Sequence, residues 1–98
     1  MSGIFDWDDG NWPKCAKHGL TEADVESVFL RRTGTTNDPS EYESRFRALG
    51  PTLDGRMAFI VFTIRERSGK SLVRPISARY MHAKEIKAYE KALADTEK

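Results

Sequence analysis

The sequence predicts an α+β fold. One antiparallel sheet of three to five strands carries helices mainly on one face, as a two-layer sandwich. Three observations lead there. Residues 43–49, 56–65 and 70–79 are strand-like segments that follow one another, joined by turn residues. Consecutive strands with short turns between them form an antiparallel meander. Helical periodicity lies before and after this block rather than between its strands.

The elements read as follows. Ile4, Phe5 and Trp7, around Asp6, make a short first strand. Residues 11–17 form a brief helix or turn, with Asn11 as N-cap and Gly19 as the C′ residue. Pro13 fits the first turn of such a helix and not its interior. Thr21 and Asp24 resemble a capping box. Val25, Val28 and Phe29 recur behind it at helical spacing, so the second helix covers residues 22–30. Residues 31–43 are polar and hold Gly34, Asn37, Asp38 and Pro39; they read as a loop with room for a short strand around 31–35. Residues 43–49 alternate. Gly50-Pro51 and Asp54-Gly55 mark a turn. Residues 56–65, rich in Phe, Ile and Val, are the clearest strand. Ser68-Gly69 makes a hairpin turn, and residues 70–79 form the next strand. Pro75 cannot donate to a ladder, which places it on an edge or at a bulge. Residues 83–94 are helical, with Ile86, Tyr89 and Leu93 on one face. The tail, 95–98, is expected to fray.

Ninety-eight residues are expected to form a single domain, 1–98, with one modest core. The single cysteine, Cys15, excludes an internal disulfide framework and suits a reducing compartment. No Cys/His cluster has zinc spacing, and no metal or cofactor is expected. The start of the chain is acidic and lacks the apolar run of a signal peptide. The longest apolar run, 57–62, is too short to span a bilayer. The expectation is a soluble, cytoplasmic protein with no membrane contact.

Net charge near zero conceals a strong asymmetry. Residues 44–91 hold 11 Lys and Arg against 4 Asp and Glu, a net +7. Residues 1–43 hold 4 against 9, a net −5. A basic sheet on so small a chain is an electrostatic footprint for phosphates.

An ordered set of short elements runs through the chain: FDWD at 5–8, KHG at 17–19, a helix ending in Val28-Phe29, RFRALG at 45–50, FIVFT at 59–63 and ISAR at 76–79. This set resembles the BrnT family of type II toxin–antitoxin toxins over roughly residues 5–89. KHG and ISAR are its most specific elements. The resemblance implies a RelE-like two-layer fold and a ribonuclease toxin. It also implies a neighbouring antitoxin with a ribbon-helix-helix DNA-binding domain. The two would form a heterotetramer that reaches operator DNA only through the antitoxin.

Metal-independent RNA cleavage needs a base for the 2′-hydroxyl, an acid for the leaving 5′-oxygen, and a cation for the charge on phosphorus. Arginine suits the third task, because its planar fork holds two phosphate oxygens. His18 reads as a general acid or base with Lys17 on a phosphate; the alternative is a helix C-cap pair. Arg45 and Arg47 share a strand face, either for phosphate or as a solvated surface. Arg79 closes ISAR where strand meets helix, which favours projection into a cleft. The catalytic candidates are therefore His18, Arg45 and Arg79.

Lys17, Arg47, Arg65, Tyr80 and His82 are the RNA-binding candidates. Tyr80 and His82 could also donate protons or cap the last helix. Ser77 reads as a structural hydroxyl, Arg67 as a solvated turn residue, and Tyr89 and Trp7 as core. Trp7 and Trp12 have base stacking as their other reading. Cys15 reads as inert. Asp6, Asp8 and Asp9 form a solvated turn or, with a further ligand, a metal site. The competing function is a binding module that holds an antitoxin or RNA without cutting. Direct DNA binding has no helix-turn-helix or basic-helix pattern to support it.

Overall fold

A computed structural model describes residues 4–38 and 44–96. Helix α1 (Trp12–Ala16) and helix α2 (Glu22–Leu30) come first. Four strands follow: β1 (Gly34–Asp38), β2 (Arg45–Pro51), β3 (Met57–Arg67) and β4 (Lys70–Tyr80). Helix α3 (Ala83–Thr96) closes the chain. The strands form one antiparallel sheet in the order β1-β2-β3-β4, so the expected meander is what the chain builds.

Each strand's alternation separates two faces. Phe46, Ala48, Ala58, Ile60, Phe62 and Ala78 turn toward α1 and α2 and join Cys15, Leu20, Val25 and Val28 in the core. Phe29 bridges the layers, edge-on to Phe5 at 5.6 Å and to Phe62 at 5.2 Å. Such pairs add about 1 kcal/mol each beyond their buried area. Helix α2 starts on the predicted capping box: Thr21 Oγ1 accepts from the Asp24 N–H, and the Asp24 carboxylate accepts from the Thr21 N–H. The helix then presses against β2 at Gly50. A Cβ there would stand 2.5 Å from the Val28 carbonyl oxygen, so only glycine lets the layers approach this closely.

The β3–β4 turn is Ser68-Gly69, with φ of +52° and +79° between the paired Arg67 and Lys70. Two left-handed residues make the hairpin turn whose twist matches the strands. Pro75 stands on the edge strand, and the register shifts opposite it between Val61 and Phe62. Both readings of that proline therefore hold.

Several expectations change. The first strand is only an isolated parallel bridge from Phe5 to Val73. Two backbone bonds to Val73, at 2.8 and 2.7 Å, are joined by ion pairs in holding this segment. Arg74 clamps Asp8 through both terminal nitrogens at 3.1 and 2.9 Å and reaches Asp6 at 3.1 Å. Arg67 Nε reaches Asp6 at 3.1 Å as well. Arg67 is thus not a mere solvated turn residue. Nor is Asp6 part of a solvated turn, since it is buried. Asn11 occupies the N-cap position but does not cap. Its amide nitrogen donates to the Asp6 and Pro75 carbonyls at 2.9 and 2.8 Å, and its oxygen accepts from the Asp8 N–H. These bonds fasten α1 to the sheet edge at β4.

The left-handed residue after α1 is Gly19, two positions past the C-cap Lys17 rather than one. The short strand expected at 31–35 lies at Gly34–Asp38, because its pairing with β2 starts only at Leu49. Helix α3 runs through Thr96, into the segment expected to fray; residues 97–98 and the Leu93 side chain lie outside the described residues. Residue 43, at the expected start of β2, does so too.

Candidate active site

The sheet face turned away from α1 and α2 carries Arg45, Arg47 and Leu49 on β2. It carries Met57, Phe59 and Val61 on β3, and Ser77 and Arg79 on β4. Strand alternation dictates this set, since the core takes the intervening residues. Helix α3 approaches this face at one end. Thr36, Leu49, Phe59, Ala88 and Tyr89 line a groove between the helix and the sheet. The Tyr89 hydroxyl shares a hydrogen bond with the Thr33 hydroxyl, so Tyr89 anchors α3 beside β1 rather than entering the main core.

Next to that groove lies a recess of about 250 Å³ lined by His18, Arg47, Phe59, Val61, Ser77, Ala78 and Arg79. Register explains the grouping on the sheet: Phe59 pairs with Arg79, Val61 with Ser77 and with Arg47. His18 arrives from the turn after α1, which reaches the recess because α1 is fastened to the β4 edge. Residues from four separate segments therefore meet over an apolar floor.

Arg79 is the most constrained of them. Its two terminal nitrogens donate to the two carboxylate oxygens of Glu85 at 2.8 and 2.9 Å. One of these nitrogens also reaches the Tyr80 carbonyl at 3.2 Å. Its guanidinium carbon sits 4.1 Å from the centre of the Phe59 ring. Glu85 also accepts from the His82 N–H at 2.8 Å, at the start of α3. The Arg79 guanidinium first, and this N–H second, hold the Glu85 carboxyl at about 2. The same hydrogen bonds push Arg79 upward. A carboxylate thus fills the fork that would meet two phosphate oxygens.

Of the residues singled out in the sequence, the structure brings together His18, Arg47, Arg79 and Ser77. Tyr80 and His82 line an adjoining recess that also includes His18 and Arg79. Tyr80 packs against the core and lies under the Arg56 guanidinium, at 3.6 Å. The structure does not bring the others in. Arg45 sits at the far end of β2, paired in register with Asp38. Arg65 is exposed toward the β3–β4 turn, paired with Leu72. Lys17 is exposed at the C-cap of α1. Trp7 packs against the core, edge-on to Trp12 at 5.4 Å, and donates through its indole nitrogen to Glu26 at 2.9 Å. Cys15 is fully buried, and burial pushes its thiol up to about 11, which suits its inert reading.

Sequence reasoning missed Arg56 and Glu85. Glu85 had a faint signal, because it stands three residues after the N-cap, where a capping-box acid belongs; the histidine at the cap obscured it. Arg56 had none, since its place over Tyr80 depends on β4 ending beside it.

This grouping of His18, Arg47 and Arg79 falls inside a recognisable family pattern. Residues 7–85 match the model of the BrnT family, the ribonuclease toxin of type II toxin–antitoxin systems. The chain belongs to the BrnT family. No curated relative matches it. The matched span includes His18, Arg47, Arg56, Arg79 and Glu85, and membership in the BrnT family implies an antitoxin partner. Among the described residues, no helix is long and apolar enough to cross a membrane, and no three His, Cys, Asp or Glu side chains group as metal ligands.

Proposed function

We propose that this protein is a metal-independent endoribonuclease toxin that works at the His18–Arg79 recess. The supporting observation is the convergence of a histidine and two arginines on an apolar floor, within a chain of a ribonuclease toxin family. His18 exchanges a proton with the reacting oxygens, a task suited to imidazole. Arg79 and Arg47 meet the charge that builds on phosphorus, where fixed donors act most strongly. Phe59 and Val61 offer an apolar surface to a sugar or base. Glu85 leaves the Arg79 fork when phosphate takes its place.

The partner in this reading is a ribbon-helix-helix antitoxin, in a heterotetramer with two copies of each chain. Operator DNA is reached through the antitoxin alone, and the complex resides in the cytoplasm. An acidic antitoxin segment and an RNA backbone compete for the same basic face, which explains inhibition by charge alone.

Replacing Arg79 tests the site. Arg79→Ala should slow RNA cleavage by roughly a hundred- to thousandfold while thermal melts show a folded protein. His18→Ala should slow it as well. Cleavage at the wild-type rate by folded Arg79→Ala would falsify the assignment. Co-purification with the product of the adjacent gene tests the partner.

A further inference from the structure

His18 and Arg79 face two recesses at once. The second, of about 300 Å³, adds Arg56, Tyr80, Met81 and His82 to its walls, and the Glu85 carboxylate reaches it only through its bonds to Arg79 and the His82 N–H. Its most available cation is Arg56. That side chain is exposed, and its guanidinium carbon lies 3.6 Å from the centre of the Tyr80 ring. Stacking on the ring occupies a face of the guanidinium and leaves its N–H edge for a ligand. Arg67, Arg74 and Arg79 are each paired with carboxylates. Among the described residues, no carboxylate forms an ion pair with Arg56.

The two recesses differ in chemistry. The first has Phe59 and Val61 in its floor. The second presents Arg56 and two imidazoles. An RNA strand carries a phosphate at each nucleotide, so a chain with one phosphate at His18 and Arg79 must place its next phosphate nearby. The recess that adds Arg56 and a second imidazole to His18 and Arg79 is the suitable place for it.

We propose that this second recess is a phosphate subsite, held by Arg56 and His82, for the nucleotide next to the one cleaved. The inference rests on the reading of the His18–Arg79 recess as the cleavage site. It makes Arg56 a binding residue that selects chains of at least two phosphates. Stacking on Tyr80 sets the direction of its fork before RNA arrives.

The test uses uncleavable 2′-O-methyl dinucleotides with no terminal phosphate, a 5′-phosphate or a 3′-phosphate, titrated against the whole chain by amide NMR. One of the two terminal phosphates should tighten binding roughly tenfold, as a charge-assisted hydrogen bond does. Arg56→Ala should remove that gain and leave the unphosphorylated dinucleotide unaffected. Arg56→Lys should restore part of it, and His82→Ala should reduce it. With longer single-stranded RNA, Arg56→Ala should lower the slope of log affinity against log salt by roughly 0.7. Equal binding of all three dinucleotides by the wild type overturns the subsite. So does an Arg56→Ala variant that weakens all three equally. Cleavage of unmodified RNA is measured in parallel. Absence of the phosphate gain in the wild type with cleavage intact removes the subsite alone. A phosphate gain without any cleavage removes the catalytic reading and leaves an RNA-binding site.

Discussion

Glu85→Gln separates the hold of the Glu85 carboxylate on Arg79 from the competition with RNA proposed for it. The substitution keeps the shape of the side chain and removes its charge. It replaces two charge-assisted hydrogen bonds, at 2.8 and 2.9 Å, with at most one neutral one. The Arg79 and Glu85 side chains are 32% and 35% exposed, so water screens the pair. The pair stabilises the fold by about 1 kcal/mol, the upper end for surface ion pairs, and the substitution removes that contribution. For a chain of this size that is a fall of about 5 °C in melting temperature.

The pH dependence has a definite sign. The folded carboxyl sits at about 2, below its ordinary value of 4.5. Its contribution is therefore full above about pH 4.5 and is lost as pH falls toward 2. Thermal melts from pH 7 to pH 2 should show wild type and variant converging on the acid side. RNA binding should move the other way. Freeing the Arg79 fork should tighten it by about 1 kcal/mol, roughly fivefold. Equal melting temperatures at pH 7, or a gap that ignores pH, would refute the stability argument. Weaker RNA binding would show that Glu85 positions Arg79 for RNA instead of competing with it.

Other outcomes test the scaffold and the surface. Gly50→Ala should destabilise the fold by about 2 to 3 kcal/mol in urea unfolding, because the new Cβ meets the Val28 carbonyl at 2.5 Å and both groups are backbone-fixed. Asn11→Ala should cost about 2 to 3 kcal/mol in the same assay, since the Asp6 and Pro75 carbonyls lose a buried donor. Single-stranded RNA affinity should fall with salt at a logarithmic slope of about −1.4 if Arg47 and Arg79 neutralise one phosphate and Arg56 the next. A flat salt response would mean that this face is not the RNA surface.

Local chemistry made much of the fold legible. The capping box at Thr21 and Asp24 starts α2 because both reciprocal bonds are three residues apart, a spacing the sequence displays. Ser68-Gly69 makes the hairpin because a two-residue turn needs left-handed residues. Alternation in β2, β3 and β4 separated Arg47 and Arg79 from Phe46 and Ala78, as the pleat requires. The first strand failed for a long-range reason. Phe5 and Trp7 looked like strand residues, but the segment is held by ion pairs and hydrogen bonds to partners more than 50 positions away, at Arg67, Arg74 and Pro75.

The sequence by itself determined which side chains share a face, where the turns fall, and which family the chain resembles. These depend on neighbours within a few positions or on an ordered set of short motifs. Only the tertiary structure decided which charges meet. It drew His18 to Arg79 by fastening α1 to the β4 edge, and it left Arg45 and Arg65 outside the recess. It also placed Glu85 on Arg79 and Arg56 over Tyr80. The physical reason is reach. Periodicity fixes the direction of a side chain from its own strand or helix, whereas the partner of an exposed charge depends on how distant segments pack.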